Sequence, residues 1–145
     1  WSPGQKSHID GPCSRFFIRR LSSGRLLMIN HYKFSHRIDL DDIMRQGNVK
    51  RWKGRSHLTA MLSEDDGATW PYTLLLDERD EVSYPDAKEA DDGYIYVTYD
   101  HQRVTKREIL MARFTEQDIL SGRLQSSRSA LRILVNKALG QPNIH

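Results

Sequence analysis

With 145 residues, 28% of them charged and 38% apolar, the chain fits one globular domain with a core of its own and excludes a disordered polymer or a membrane-helix protein. Its net charge of +3 is small and dispersed, which argues against nucleic-acid binding and suits basic residues that face an anionic small substrate. The single cysteine, Cys13, excludes an internal disulfide or a multi-cysteine metal site, and no two of the six histidines stand at a zinc-binding helical spacing, so neither metal nor other cofactor is expected. No run approaches the roughly 18 apolar residues of a membrane span, and no signal peptide is visible. Because the chain opens on Trp1 rather than methionine, it reads as a piece of something longer, with any export signal upstream.

Apolar and polar residues alternate with a period of two in successive runs rich in leucine, β-branched and aromatic residues, the pattern of half-buried strands. These runs predict strands at 14–21, 25–32, 57–64, 69–77, 94–101, 108–115 and 131–136. Between the second and third runs, the segment 37–54 predicts a short helix from Leu40 to Arg45 with Asp39 as its cap, inserted between strands. Residues 115–122, "TEQDILSG", start like a helical turn that Thr115 caps and Gly122 closes. The tail "SALRILVNKAL" fits helical spacing too, but its place after three strands of a unit favours a strand.

The connections "SSG" at 22–24 and "ADDG" at 90–93 are the small, acidic and glycine turns that join antiparallel neighbours. Grouped in order, the strands form one set within 14–78 and a second within 82–136, and "LSSGRLLM" in the first echoes "ADDGYIYV" in the second. The prediction is an all-β chain built as two four-stranded β-propeller blades. A ring needs about 4 to 8 blades, so the chain is expected to be the C-terminal portion of a larger propeller. Open blades leave unpaired edges and apolar faces, which predicts self-association of the isolated piece.

Between the third and fourth strands stands "SEDDGATW". Ser63 and Asp65 can accept hydrogen bonds from turn N–H groups, Gly67 can take a positive φ, and Trp70 can fold back over the loop. This spacing at this place in a blade resembles the Asp-box of the sialidase superfamily of propellers. In that family the box is structural and lies away from the active site, so Asp65 and Asp66 are not expected to be catalytic. The resemblance extends over roughly residues 14 to 116, through Arg55 before the strand, Trp70 with Pro71, Tyr84, Asp92 with Gly93, and Tyr99 with Asp100. It implies a bacterial exo-glycoside hydrolase, secreted or periplasmic, with a ring of about six blades.

Sialidases cleave a glycoside whose anomeric carbon carries a carboxylate, which would repel an anionic nucleophile. The family uses a tyrosine that approaches as a neutral phenol and is activated by a glutamate, and arginines clamp the carboxylate through their planar fork. Tyr84 matches the nucleophile. Arg55 matches the third arginine, with Arg37 as the competing candidate. His31 and His101, each closing the second strand of its unit, are candidates for a central pocket and read equally well as ordinary strand-end polar residues, and Asp86 and Arg103 are further candidates. Three departures point to a branch acting on another terminal sugar: Pro85 follows the tyrosine where a serine is expected, Asp100 stands where a glutamate is usual, and the second strand ends "INH". The family's glutamate, acid/base aspartate and other arginines belong to earlier blades, which leaves this chain alone catalytically incomplete. Two other readings remain open: a glycan-binding propeller without turnover, and a polysaccharide lyase using His31 or His101 with Tyr84.

Overall fold

The computed structural model describes residues 2–5, 7–33 and 54–139, so the helix expected at 40–45 and the candidate Arg37 lie outside the described residues. Two antiparallel sheets of four strands each are present. The first has the order β1 (Phe17–Arg20), β2 (Leu26–His31), β3 (Leu58–Ser63), β4 (Tyr72–Asp77). The second has the order β5 (Val82–Glu89), β6 (Tyr94–His101), β7 (Glu108–Thr115), β8 (Ala130–Lys137). Each sheet runs as a simple meander, the make-up of a propeller blade, and the all-β expectation holds.

The alternation read from the sequence is what sets the packing. Leu27 and Ile29 on β2, Ala60 and Leu62 on β3, and Leu74 and Leu76 on β4 face Ile95, Val97 and Tyr99 on β6 and Leu110, Ala112 and Phe114 on β7, in one buried cluster. The sheets therefore lie face to face, and each hides the apolar side of the other. At the outer edges, Ile18 on β1 and Leu134 and Val135 on β8 remain exposed.

The two hairpin turns that echo each other in sequence are also built alike. Leu21 N donates to Arg25 O at 2.8 Å and Gly24 N to Leu21 O at 2.9 Å. Ala90 N donates to Tyr94 O at 2.9 Å and Gly93 N to Ala90 O at 3.0 Å. The first turn also reaches across to the second sheet, where Glu89 accepts from the Ser22 backbone N–H at 2.8 Å and from the Ser22 hydroxyl at 2.5 Å.

The helical turn is present as α1 (Glu116–Ser121). Thr115 accepts from Asp118 N, Asp118 accepts back from Thr115 N, and Gly122 closes the helix at φ 66°. Asp118 is buried and also accepts from Gln125 N and the Ser129 hydroxyl, which leads the chain into β8. Burial pushes the Asp118 carboxyl up, but the Ser129 hydroxyl and the N–H groups of Thr115 and Gln125 outweigh it and hold it below the ordinary range.

Some boundaries differ from the sequence reading. β1 is shorter than 14–21, and Thr69, Trp70 and Pro71 belong to a turn rather than to β4. The Thr69 N–H and hydroxyl are committed to Asp65, and the Trp70 ring packs against Gly67, as described below. Phe114, fully buried between the sheets, provides the test of the packing. Phe114→Ala is expected to cost about 3–5 kcal/mol of unfolding free energy, read by urea denaturation.

Candidate functional site

The meander gives the molecule two ends. At one lie the turns at 21–25, 64–71 and 90–93, together with α1. At the other, His31 pairs with Leu58 and Leu58 with Asp77 in the first sheet, and Val82 pairs with His101 and His101 with Glu108 in the second. The His31 ring Nε2 lies 2.9 Å from Val82 O, which brings the two rows together.

The Asp-box occupies the first end. The buried Ser63 hydroxyl accepts from Gly67 N at 2.8 Å and donates to Asp65 Oδ1 at 2.8 Å. Asp65 accepts from Thr69 N at 2.8 Å and from the Thr69 hydroxyl at 2.6 Å. These bonds hold the Asp65 carboxyl down at about 2, with the Thr69 hydroxyl contributing most. Gly67 sits at φ 90°, and a Cβ there would stand 3.5 Å from the Trp70 ring and 3.7 Å from Leu26, so Trp70 does fold back over the loop. The carboxylate works as a turn staple and faces away from the other end of the sheets.

Tyr84 belongs to the second end. Between Ser83 and Asp86 the register of β5 against β6 shifts, so that Tyr84 and Pro85 together oppose the single residue Tyr99. This is a β-bulge, and Pro85 suits it because a proline has no ladder N–H to lose. Tyr84 lies at φ 56°, an uncommon conformation for a bulky residue, and is 39% exposed. The Arg103 guanidinium stands over its ring at 4.1 Å, and Arg55 lies 5.5 Å from the same ring.

Each arginine is anchored. Arg103 donates through Nε to Asp100 Oδ2 at 2.9 Å and again through Nη2, while the Ser83 hydroxyl donates to Asp100 Oδ1 at 2.7 Å. Asp100 raises the Arg103 pKa further above its ordinary value, with a smaller contribution from Tyr84. Arg55 is buried, its Nη2 donates to Cys13 O, and its own carbonyl accepts from Val82 N at 3.0 Å.

The remaining candidates are placed differently. His31 and His101 are each 1% exposed, His31 turned onto Val82 O and His101 Nδ1 at 2.8 Å from Glu108 Oε2, so both rings meet protein groups instead of solvent. Asp86 forms a surface ion pair with Arg15 at 3.1 Å. Among the described residues, no group of three or more His, Cys, Asp or Glu side chains is gathered as a metal ion would require.

A second tyrosine at this end carried part of the family resemblance but was given no site role from the sequence. Tyr99 is buried and donates to Asp77 Oδ2 at 3.0 Å, and Asp77 also takes Nε and Nη2 of Arg79 at 2.9 and 2.6 Å. Burial and the adjacent Asp77 carboxylate push the Tyr99 phenol well above its ordinary range, which keeps it a donor. Burial alone would push Asp77 up, but the Arg79 hydrogen bonds and charge outweigh it and hold it down. The signals missed were pairings between strands: Asp77 with Tyr99 across the two sheets, and Ser83 with Asp100 beside the bulge.

A family model described as a BNR repeat-like domain matches residues 1–97. The chain belongs to that family. In this BNR repeat-like domain the match spans the first sheet, the Asp-box, Arg55 and Tyr84, in agreement with a sialidase-type Asp-box propeller. Comparison with curated proteins and with solved structures found no match.

The staple generates a pH test. Because folding lowers the Asp65 pKa, its contribution is fully present above about pH 4 and fades as the pH falls through about 2. Asp65→Asn is expected to melt below the parent at pH 7, with the gap narrowing between about pH 4 and pH 2, as followed by circular dichroism.

Proposed function

We propose that the chain supplies the nucleophile side of the pocket in a sialidase-like, retaining exo-glycosidase that removes a terminal acidic sugar, with Tyr84 as nucleophile and Arg55 on the substrate carboxylate. The observation that carries this reading is the exposed Tyr84 ring, held on a strained bulge with two guanidiniums close to it. Their paired positive charge favours an anionic ligand at the ring. Of Tyr84 and Tyr99, the latter is buried and committed to Asp77, whereas Tyr84 is exposed.

In this mechanism the Tyr84 oxygen attacks the anomeric carbon, and the phenolic proton passes to a base. The bond to the leaving oxygen breaks as that oxygen takes a proton from an acid, and water then releases the sugar from the tyrosine with retention. The resemblance to sialidases assigns both the base and the acid to other blades. His31 and His101 support the pocket from behind and Asp86 lies at its rim, and the ring of about six blades is part of the same proposal.

The second reading is a glycan-binding propeller, which would use the same exposed ring and adjoining cations without turnover. The lyase reading has less support, because both of its imidazoles are buried and turned onto protein groups.

The test is product mass from sialosides, uronate glycosides and neutral glycosides, using the protein together with whatever sequence flanks residues 1–145. Tyr84→Phe is expected to abolish sugar release, by at least about 100-fold, while leaving the melting curve unchanged. Normal turnover by Tyr84→Phe would remove the nucleophile assignment. Sugar binding without any release would favour the glycan-binding reading.

A further inference from the structure

Two cations adjoin Tyr84, and they are held in different ways. Arg103 follows β6 in the loop that leads to β7, three residues beyond Asp100. Two of its donors, Nε and Nη2, are both spent on one oxygen, Asp100 Oδ2. The other oxygen of Asp100 is taken by Ser83, a buried hydroxyl directly opposite it across the β5–β6 pairing and next in sequence to Tyr84. A chain of three side chains therefore starts beside the bulge, crosses to β6, and returns over the face of Tyr84. With the Nε–Nη2 edge of the guanidinium spent on Asp100, that edge cannot close on a substrate carboxylate, and only the Nη1–Nη2 end is left to meet one. Arg103 stands over Tyr84 with its guanidinium carbon 4.1 Å from the ring centroid, within cation–π distance.

We infer that Arg103 is a positioning residue for Tyr84, fixed over the phenol ring by Asp100 and Ser83, and is not a ligand of the substrate. This deepens the proposed function and, for its effect on turnover, rests on Tyr84 being the nucleophile. The phenol has to be held against the bulge in one orientation, and Tyr84 occupies a backbone conformation that its surroundings must enforce. Clamping the ring from above supplies part of that enforcement. The short side chain at position 100 belongs to the same device. Its two oxygens reach Ser83 and Arg103 together, and a glutamate, longer by one methylene, would displace one of these contacts. The aspartate at the place where sialidases usually carry a glutamate thus has a local structural role.

The experiment pairs an activity-independent reading with kinetics. In the protein with its flanking sequence and with isotope-labelled arginine, the Arg103 side-chain resonances are expected to be shifted upfield by the Tyr84 ring current. The shift should disappear in Tyr84→Leu, and it should collapse in Asp100→Asn while the fold is retained. On the sugar released by the parent, Asp100→Asn and Arg103→Gln are each expected to lower kcat by roughly tenfold or more with KM within about twofold, and Arg103→Lys to restore only part of kcat. An Arg103 resonance without the shift would overturn the inference. So would a loss expressed wholly in KM, which would make Arg103 a substrate ligand. Tyr84→Phe separates the two claims. If it turns over normally, the nucleophile reading fails and the catalytic half of the inference fails with it, while the ring-current result still decides whether Asp100 seats Arg103 on the ring.

Discussion

The central strands of both sheets carry apolar residues on the side turned to the other sheet, and the fold depends on hiding those sides against each other. Neither four-stranded meander can do so alone, because a single sheet leaves its buried-type face open to water. Face-to-face packing of β2, β3 and β4 on β6 and β7 removes Leu27, Ile29, Leu62, Leu76, Ile95, Val97 and Phe114 from solvent together. The polar bridges between the sheets follow from that packing. Ser22 meets Glu89 at one end, and Asp77 meets Tyr99 at the other, because the apolar faces have already fixed the relative placement of the strands.

The two ends of this sandwich divide the work. One end carries the glycine turns, the capped helix and the Asp-box, where a carboxylate is saturated by the hydroxyls and N–H groups of its own loop. A group so fully engaged stabilises a turn but has no capacity left for chemistry. The other end carries the bulge, the two arginines and an exposed phenol. Strain and charge accumulate there, as they do where a scaffold places a ligand-binding group. Rigid turns at one end and an irregular strand at the other thus belong to one architecture.

Much of this was legible from residue pattern. Alternation placed seven of the eight strands among the described residues, Thr115 and Gly122 marked the helical turn, and "SEDDGATW" identified its own hydrogen bonding, because each of these is decided by residues close in sequence. Strand β5 was harder to see. "VSYPDAKE" contains a proline and three charges, and its two-against-one bulge reverses the alternation half-way along the strand. Tyr84 and Arg55 were found through a family resemblance and not through periodicity. Nothing local to "SYP" signals a positive φ at the tyrosine.

The sequence by itself determined the strand class and the turn chemistry, and it named the candidate site residues. Only the tertiary structure decided which of those residues meet. It buried His31 and His101, which the sequence left open as pocket ligands, because the ends of β2 and β6 are covered where the two sheets adjoin. It separated Tyr84 from Tyr99, two tyrosines on paired strands, by giving one a bulge and the other a place in the core. It also joined Ser83, Asp100 and Arg103 above a single ring. Local propensity is set within a few residues of the chain, whereas burial, charge pairing and strain depend on which strands become neighbours, and that is fixed only when the two sheets pack.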